Sequence, residues 1–345
     1  MSDSQTNRGY IVYGFEPSWF TGKLRTILRS QSIPHTCILK RADIAPDIEA
    51  RAGTHQIPVL QTPEGWMIAD TTPIAHMLNA WFPSSAILPD DPVHLVATMI
   101  LEDWFDESWT RPGMYYRWQF EESAAHAKTT LGRQAAPEGA DSAFQSQVGE
   151  MVQTWALKAC RAIGAETANG PEIEARFERH LAQLNEHLGT HGFLFGDRPT
   201  LADMALGGGF VAHLYADPVP KALVDRIAPR VSEWLARMWD ASEDHVWPAF
   251  PCPAGRPPPL VMDWLSELAG DFHARMRING QALEAGEKGM MLPLTDGGEI
   301  SLRTMPYLEF SRRFTMARIG ELSEEDRAEV ARVLGPTGAL KVYGL

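Results

Sequence analysis

The sequence predicts an α/β unit at the N-terminus, an all-helical unit after it and a mixed α+β segment at the C-terminus. Three observations predict this class. The chain has 345 residues, enough for two or three domains at about 150 residues each. Strand-like and helix-like segments alternate as far as Phe82, and helical periodicity then runs from Val93 to about Asp240. After that, a single clear hairpin pattern is flanked by helical segments.

The N-terminal unit begins with an apolar run over residues 10–15, which predicts a strand buried on both faces. A helical stripe of apolar residues follows between Phe20 and Leu28. Residues 36–39 form the next short strand candidate. Because the crossover between the two strands is one short helix, we expect a right-handed βαβ unit with a parallel strand pair.

The rest of this unit follows an antiparallel pattern. We expect a strand at residues 57–60 with Pro58 at its start, since proline inside a central strand removes a ladder donor. Residues 66–68 predict the returning strand. Thr72, directly before Pro73, predicts the N-cap of the next helix.

The helical part contains two local signals. Thr200 followed three residues later by Asp203 has capping-box spacing. The Gly207-Gly208-Gly209 run lies inside a helical stripe, so we expect close helix packing there rather than phosphate binding.

Near the C-terminus, the residues around Asp296-Gly297-Gly298 predict a hairpin, and Ser323 predicts the start of a last helix.

Composition narrows the class of protein. The 44% hydrophobic and 22% charged residues are typical of a globular chain, and the net charge of −13 argues against a general nucleic-acid binder. Three widely spaced cysteines indicate a reducing compartment rather than a disulfide scaffold. The polar first nine residues predict no signal peptide, and no apolar stretch is long enough to cross a membrane. We therefore expect a cytoplasmic protein with no membrane and no nucleic-acid partner.

Four short stretches stand in an order that is found in one superfamily: YGFEPS at 13–18, QIPVL at 56–60, ADTTPIA at 69–75, and LFGD leading to Thr200 and Asp203. Together they resemble the glutathione transferase superfamily over about residues 9–240. The resemblance implies a thioredoxin-like glutathione-binding domain at 9–83 and an all-helical domain at 92–245. It does not cover residues 246–345, an extension that we expect to pack on the other two domains.

The resemblance implies glutathione as cosubstrate and Ser18 as the catalytic serine. A free thiol has a pKa near 8.5, and a hydroxyl donor beside a helix N-terminus would favour the thiolate. Ser18 can instead be a plain N-cap. Tyr13 is the second candidate donor, or a buried strand tyrosine. Trp19 and Phe20 stand where the family usually has Pro and often Tyr or Cys, so a cysteine-type mechanism is excluded at this point.

The same resemblance implies the residues that bind glutathione. The peptide bond before Pro58 is expected to be cis, and the backbone of Ile57 would then pair with the cysteinyl part of glutathione, with a side-chain hydrogen bond from Gln56. Thr71 and the N–H groups of the next helix would hold the γ-glutamyl carboxylate. Asp70 would pair with its ammonium group. Plain helix capping is the alternative for both residues.

The stretch 102–118 is dense in aromatic and charged residues. The resemblance implies that this helix faces the glutathione site and supplies the pocket for the acceptor substrate. The alternative is a core element with a dimer contact. The implied function is attack of a glutathione thiolate on a hydrophobic electrophilic small molecule. The alternative is a non-catalytic binding or assembly module of the same fold. We expect a homodimer, the commonest symmetric assembly, and no metal site, since the histidines lack ligand spacing.

Overall fold

The computed structural model describes residues 9–240, 245–250, 255–293 and 298–345. The strands are β1 (Tyr10–Gly14), β2 (His35–Leu39), β3 (Val59–Gln61), β4 (Met67–Ala69), β5 (Gly289–Pro293) and β6 (Glu299–Arg303). The α-helices are α1 (Trp19–Ser30), α2 (Ala45–Ala52), α3 (Thr71–Trp81), α4 (Pro92–Ser108), α5 (Thr110–Trp118), α6 (Glu121–Ala135), α7 (Ser142–Ala162), α8 (Gly170–His187), α9 (Leu201–Gly209), α10 (Pro218–Ile227), α11 (Arg230–Trp239), α12 (Pro259–Leu268), α13 (Asp271–Glu284), α14 (Pro306–Gly320) and α15 (Glu324–Leu334).

The chain divides into two compact units. Unit 1 comprises residues 1–87, 116–156 and 207–246, and unit 2 comprises residues 88–115, 157–206 and 247–345. The predicted α/β, all-helical and mixed α+β composition is confirmed. The domain limits predicted from the sequence remain a prediction.

Unit 1 contains a four-stranded sheet in the order β2-β1-β3-β4. β1 and β2 are parallel, which confirms the predicted βαβ unit. β3 is antiparallel to both β1 and β4. The apolar stripe of α1 is fully buried at Leu24, Ile27 and Leu28, so this helix covers the sheet as its periodicity predicts.

Two glycines let α1 approach the end of α9. A Cβ on Gly208 would lie 2.3 Å from the backbone nitrogen of Lys23, and a Cβ on Gly22 would lie 2.3 Å from the Gly208 carbonyl oxygen. No side chain fits at such distances, so both positions require glycine. The prediction that the glycine run serves close helix packing is confirmed.

The start of α3 differs from the sequence prediction. Asp70, not Thr72, is the N-cap, and its carboxylate accepts a hydrogen bond from the Thr72 N–H at 3.2 Å. Aspartate is a stronger N-cap than threonine, and proline is tolerated in the first turn because its missing N–H has no intrahelical partner there. The other predicted caps are confirmed. Thr200 and Asp203 form the capping box, and Ser323 caps α15.

Unit 2 is organised around α4. Helices α12, α14 and α15 of the C-terminal extension all pack on it. The ring of Trp264 on α12 lies 5.8 Å from those of Trp104 and Phe105 and 6.1 Å from that of Trp109. The predicted hairpin is confirmed as the antiparallel pair β5–β6. Its turn, residues 294–297, lies outside the described residues.

The buried surface of α4 also includes four acidic side chains: Glu102, Asp103, Asp106 and Glu107. The Asp103 carboxylate accepts hydrogen bonds from the hydroxyls of Ser311 and Tyr343 at 2.6 and 2.8 Å. Burial, reinforced by the neighbouring Asp103 carboxylate, raises the pKa of Glu107 to about 8. The extension thus carries the polar partners of an acidic helix face as well as apolar ones.

The high pKa of Glu107 predicts a pH-dependent gain from Glu107→Gln. The Glu107 carboxyl holds its proton more tightly in the folded chain than in the unfolded chain. The free energy of unfolding of the wild type therefore falls as pH rises from about 4.5 to about 8. The variant lacks this loss and is expected to be more stable at pH 8 by about 2 to 4 kcal/mol, with little gain at pH 5. Melting temperatures at both pH values test this. The exposed Glu325→Gln is the control, and equal gains at both pH values would contradict the prediction.

None of the helices in the part of the chain that the structure describes has the length and apolar character needed to cross a bilayer.

Candidate functional site

The register of the sheet in unit 1 brings three predicted site segments to one edge. Tyr13 pairs with Val59, and Val59 pairs with Ala69. Pro58 and Asp70 are the next residues along their strands. Because neighbouring strands lie about 4.8 Å apart, the end of β1, Pro58 and Asp70 are neighbours. The sequence placed these segments together through resemblance, and the backbone pairing now gives the physical reason.

The Ile57–Pro58 peptide bond is cis, as predicted. Gln56 is exposed, Ile57 is half-buried and Pro58 is buried. The preceding loop is held by Lys40, whose Nζ donates to the His55 carbonyl at 2.8 Å and pairs with Glu49 at 2.8 Å. Sequence reasoning missed Lys40, a buried lysine that directly follows β2.

Ser18 is the N-cap of α1. Its Oγ accepts from the Thr21 N–H at 3.4 Å, and its carbonyl accepts the first helical hydrogen bond, from the Gly22 N–H, at 2.8 Å. The side chain is half-buried. The hydroxyl therefore lies at the positive end of the α1 dipole and keeps its own proton available for donation.

Arg117 on α5 fixes the loop that carries Ser18. Its guanidinium donates to the Pro17 carbonyl at 2.6 Å and to the Asp217 carboxylate at 2.7 Å, and it also bonds His213 Nε2 at 3.0 Å. Arg117 and Asp217 are both almost fully buried. The sequence analysis included Arg117 in an aromatic-rich stretch without a role for it. The signal was a cation set between the aromatic residues Tyr116 and Trp118, since a charge buried among apolar groups needs a partner.

Asp70 has an unusual backbone. Its φ is 77°, a left-handed conformation that non-glycine residues rarely adopt and that costs about 1 to 3 kcal/mol. This backbone directs the half-buried carboxylate to the start of α3. Thr71 follows as the first residue of the helix and is buried, 4% exposed. The neighbouring Thr72 hydroxyl accepts from the buried Lys23 Nζ at 3.3 Å.

Tyr13 and the aromatic stretch have structural partners. The Tyr13 hydroxyl donates to Gln61 Oε1 at 3.0 Å, a bond within the sheet. Trp104, Phe105 and Trp109 are at most 3% exposed and pack against one another. The structure therefore favours the core alternative for these aromatic residues over the acceptor pocket.

Part of the helical region matches a known family model. Residues 161–237 match the family model for the glutathione S-transferase C-terminal domain. The resemblance to the glutathione transferase superfamily that the sequence motifs indicate is confirmed.

Several solved structures show a weak likeness to this chain. A glutathione S-transferase from Rhodospirillum rubrum F11 has 18% identity over 73% of this chain and 97% of its own, with a TM-score of 0.43. The β-etherase LigF from Sphingobium sp. strain SYK-6 has 20% identity over 67% and 94%, with a TM-score of 0.46. A glutathione S-transferase from Methylobacterium radiotolerans, in complex with glutathione sulfonate, has 20% identity over 72% and 99%, with a TM-score of 0.40. Likenesses this weak define no substrate for this chain. A comparison with curated protein sequences gives no match.

Proposed function

We propose that this chain binds glutathione at the sheet edge of unit 1 and activates its thiol for attack on an electrophilic small molecule. The observation that carries the proposal is the meeting of cis-Pro58, the strained N-cap Asp70 and the end of β1 at one edge. The family match in the helical region supports the same class of ligand.

Each part of glutathione has a complementary group at this edge. The half-buried Ile57 would offer its N–H and carbonyl to the cysteinyl peptide group, and the exposed Gln56 extends the polar surface. The Asp70 carboxylate suits the α-ammonium group, a charge-assisted hydrogen bond. Thr72 N–H is used by Asp70 and Pro73 has none, so the Thr71 N–H is the first-turn donor that suits the γ-glutamyl carboxylate.

In this proposal Ser18 lowers the pKa of the bound thiol. The Ser18 hydroxyl donates to the thiolate sulfur while its oxygen keeps the bond from Thr21 N–H. Hydrogen bonding to the charged form and the positive end of α1 both favour ionisation. The thiolate then attacks the electrophile, forming the carbon–sulfur bond as the leaving group departs.

A second candidate function is a non-catalytic glutathione-binding or assembly module. The observation in its favour is Trp19, which is buried directly after Ser18 where the family pattern has proline. Under this alternative Ser18 only caps α1, and bound glutathione keeps an ordinary thiol pKa.

A homodimer remains part of the proposal, and light scattering that gives the monomer mass of 38.3 kDa would contradict it.

Ser18→Ala tests the catalytic proposal directly. One hydrogen bond to a charged group contributes about 1.5 to 3 kcal/mol, so the pKa of protein-bound glutathione is expected to be below 8.5 in the wild type and higher by about 1 to 2 in the variant. Thiolate ultraviolet absorbance against pH measures this without any acceptor. Ser146→Ala, on the exposed side of α7, is the control. Glutathione that binds equally to all three proteins with the same thiol pKa would favour the module.

A further inference from the structure

We propose that unit 1 contains a second site, a cavity that binds a small organic anion. The cavity has a volume of about 330 Å³ and lies between β1, β2, α1 and α6. Arg25, Arg41 and Arg133 line it, with Glu16 as its acidic member. This site is inferred from its own side chains and does not depend on the proposal for glutathione.

The charged residues of the cavity are mostly basic, whereas the chain as a whole is acidic. The whole protein carries a net charge of −13, yet three arginines and one acidic residue line this cavity. The Glu16 carboxylate is already engaged, since it accepts from Gln134 Nε2 at 2.9 Å while the Glu16 N–H donates to Gln134 Oε1 at 3.0 Å. The cavity is therefore a local positive region, which attracts anions.

The arginines also have unused capacity to donate. Within the described residues, neither Arg25 nor Arg133 has an acidic side chain at ion-pair distance, and Arg41 has only the exposed Glu138 at 3.6 Å. Arg25 stacks on Trp239 at 4.8 Å, and its buried Nε has no hydrogen-bond partner in this part of the chain. The same holds for the Oγ1 of Thr21, a cavity residue that is 3% exposed. An oxyanion would satisfy such donors.

The remaining walls limit the kind of anion. Phe15, Ile38 and Leu39 give the cavity an apolar side. Its volume is at the lower end of the range for small-molecule sites. These features fit a carboxylate on a short apolar or aromatic body. Phe15 and Glu16 lie in the same loop as Ser18, between β1 and α1. If the proposed function holds, and only then, this anion is the acceptor substrate.

Cys37 provides a built-in reporter for the site. Cys37 lines the cavity and is exposed. Burial raises the pKa of its thiol, and the nearby Arg25 opposes that rise. Cys160 is buried in unit 2, and Cys252 lies outside the described residues. Iodoacetate and iodoacetamide alkylate thiols by the same displacement of iodide but differ by one negative charge. Their relative rates at Cys37, followed by peptide mass spectrometry, therefore measure attraction of anions into the cavity.

We expect the iodoacetate-to-iodoacetamide rate ratio at Cys37 to exceed that of a free thiol by about tenfold at low salt and to fall as salt is added. Benzoate should slow alkylation by both reagents. Arg25→Gln combined with Arg133→Gln should return the ratio to the free-thiol value, and the exposed Arg226→Gln should not change it.

Two results would overturn the proposal. A ratio at Cys37 of the wild type equal to that of a free thiol, without protection by benzoate, would show that the cavity does not gather anions, whatever the variants do. Protection by glutathione but not by benzoate would mean that the cavity belongs to the glutathione site. Neither result depends on transferase activity, so failure here leaves the proposed function to its own tests.

Discussion

Replacing Arg117 with methionine is expected to lower the free energy of unfolding of unit 1 by about 3 to 5 kcal/mol. The cause is the buried Asp217 carboxylate, which loses its positively charged partner. Asp217 is 1% exposed, and Arg117 supplies two of its hydrogen bonds, at 2.7 and 3.3 Å. Methionine fills much of the volume but leaves Asp217 without the compensating charge. Burial already raises the pKa of Asp217 against the opposing effect of Arg117, so the variant should lose most stability at high pH.

Two further variants separate the charge from packing. In Arg117→Met with Asp217→Asn, the buried charge is gone, so the loss of stability should be smaller than in Arg117→Met alone. The exposed Arg277→Met on α13 is the matched control and should change stability by no more than about 0.5 kcal/mol. Urea unfolding followed by circular dichroism measures all three. A double variant that is no more stable than Arg117→Met alone would contradict the described pairing.

The second large effect is expected from Trp264→Ala in the extension. Trp264 is fully buried, its Nε1 donates to Gln183 at 3.0 Å, and its ring packs against three aromatic residues of the α4 region. Such a truncation costs about 3 to 5 kcal/mol through lost burial and the cavity it leaves. We therefore expect the melting temperature of unit 2 to fall by about 10 °C or more.

Trp155→Ala is the matched control for this experiment. Trp155 on α7 is 66% exposed, so its removal should leave the melting temperature nearly unchanged. If Trp264→Ala melted like the control, the extension would contribute little to unit 2. The comparison thus tests whether the residues after 246 are part of a shared core, as their packing on α4 indicates.

Local pattern was enough to predict much of the fold. The apolar run of β1, the stripe of α1 and the Thr200–Asp203 box are determined by neighbours in sequence, and the structure agrees with all three. The prediction of Thr72 as N-cap was wrong because Asp70, a stronger capping residue, lies two positions earlier and accepts from the Thr72 N–H, which places Thr72 inside the helix. Local signals decide an element's existence more firmly than its first residue.

The site was harder to predict because its supports come from distant parts of the chain. Arg117 reaches Pro17 across 100 residues, and Lys40 reaches His55 from the end of another strand. The cavity lined by Arg25, Arg41 and Arg133 likewise joins three separate segments. Periodicity carries no information about such pairs. The cis bond at Pro58 was predicted only because a family resemblance supplied the distant context.

The most direct measurement of the central claim is calorimetric titration of glutathione into the wild type and into Asp70→Asn. Asparagine caps helices as well as aspartate and tolerates a positive φ, so this change removes the charge and keeps the geometry. We predict saturable binding of one glutathione per chain in the wild type, weakened about tenfold or more in the variant, because one charge-assisted hydrogen bond contributes about 1.5 to 3 kcal/mol. No binding heat at millimolar glutathione, or equal affinity in the two proteins, would contradict the proposed site.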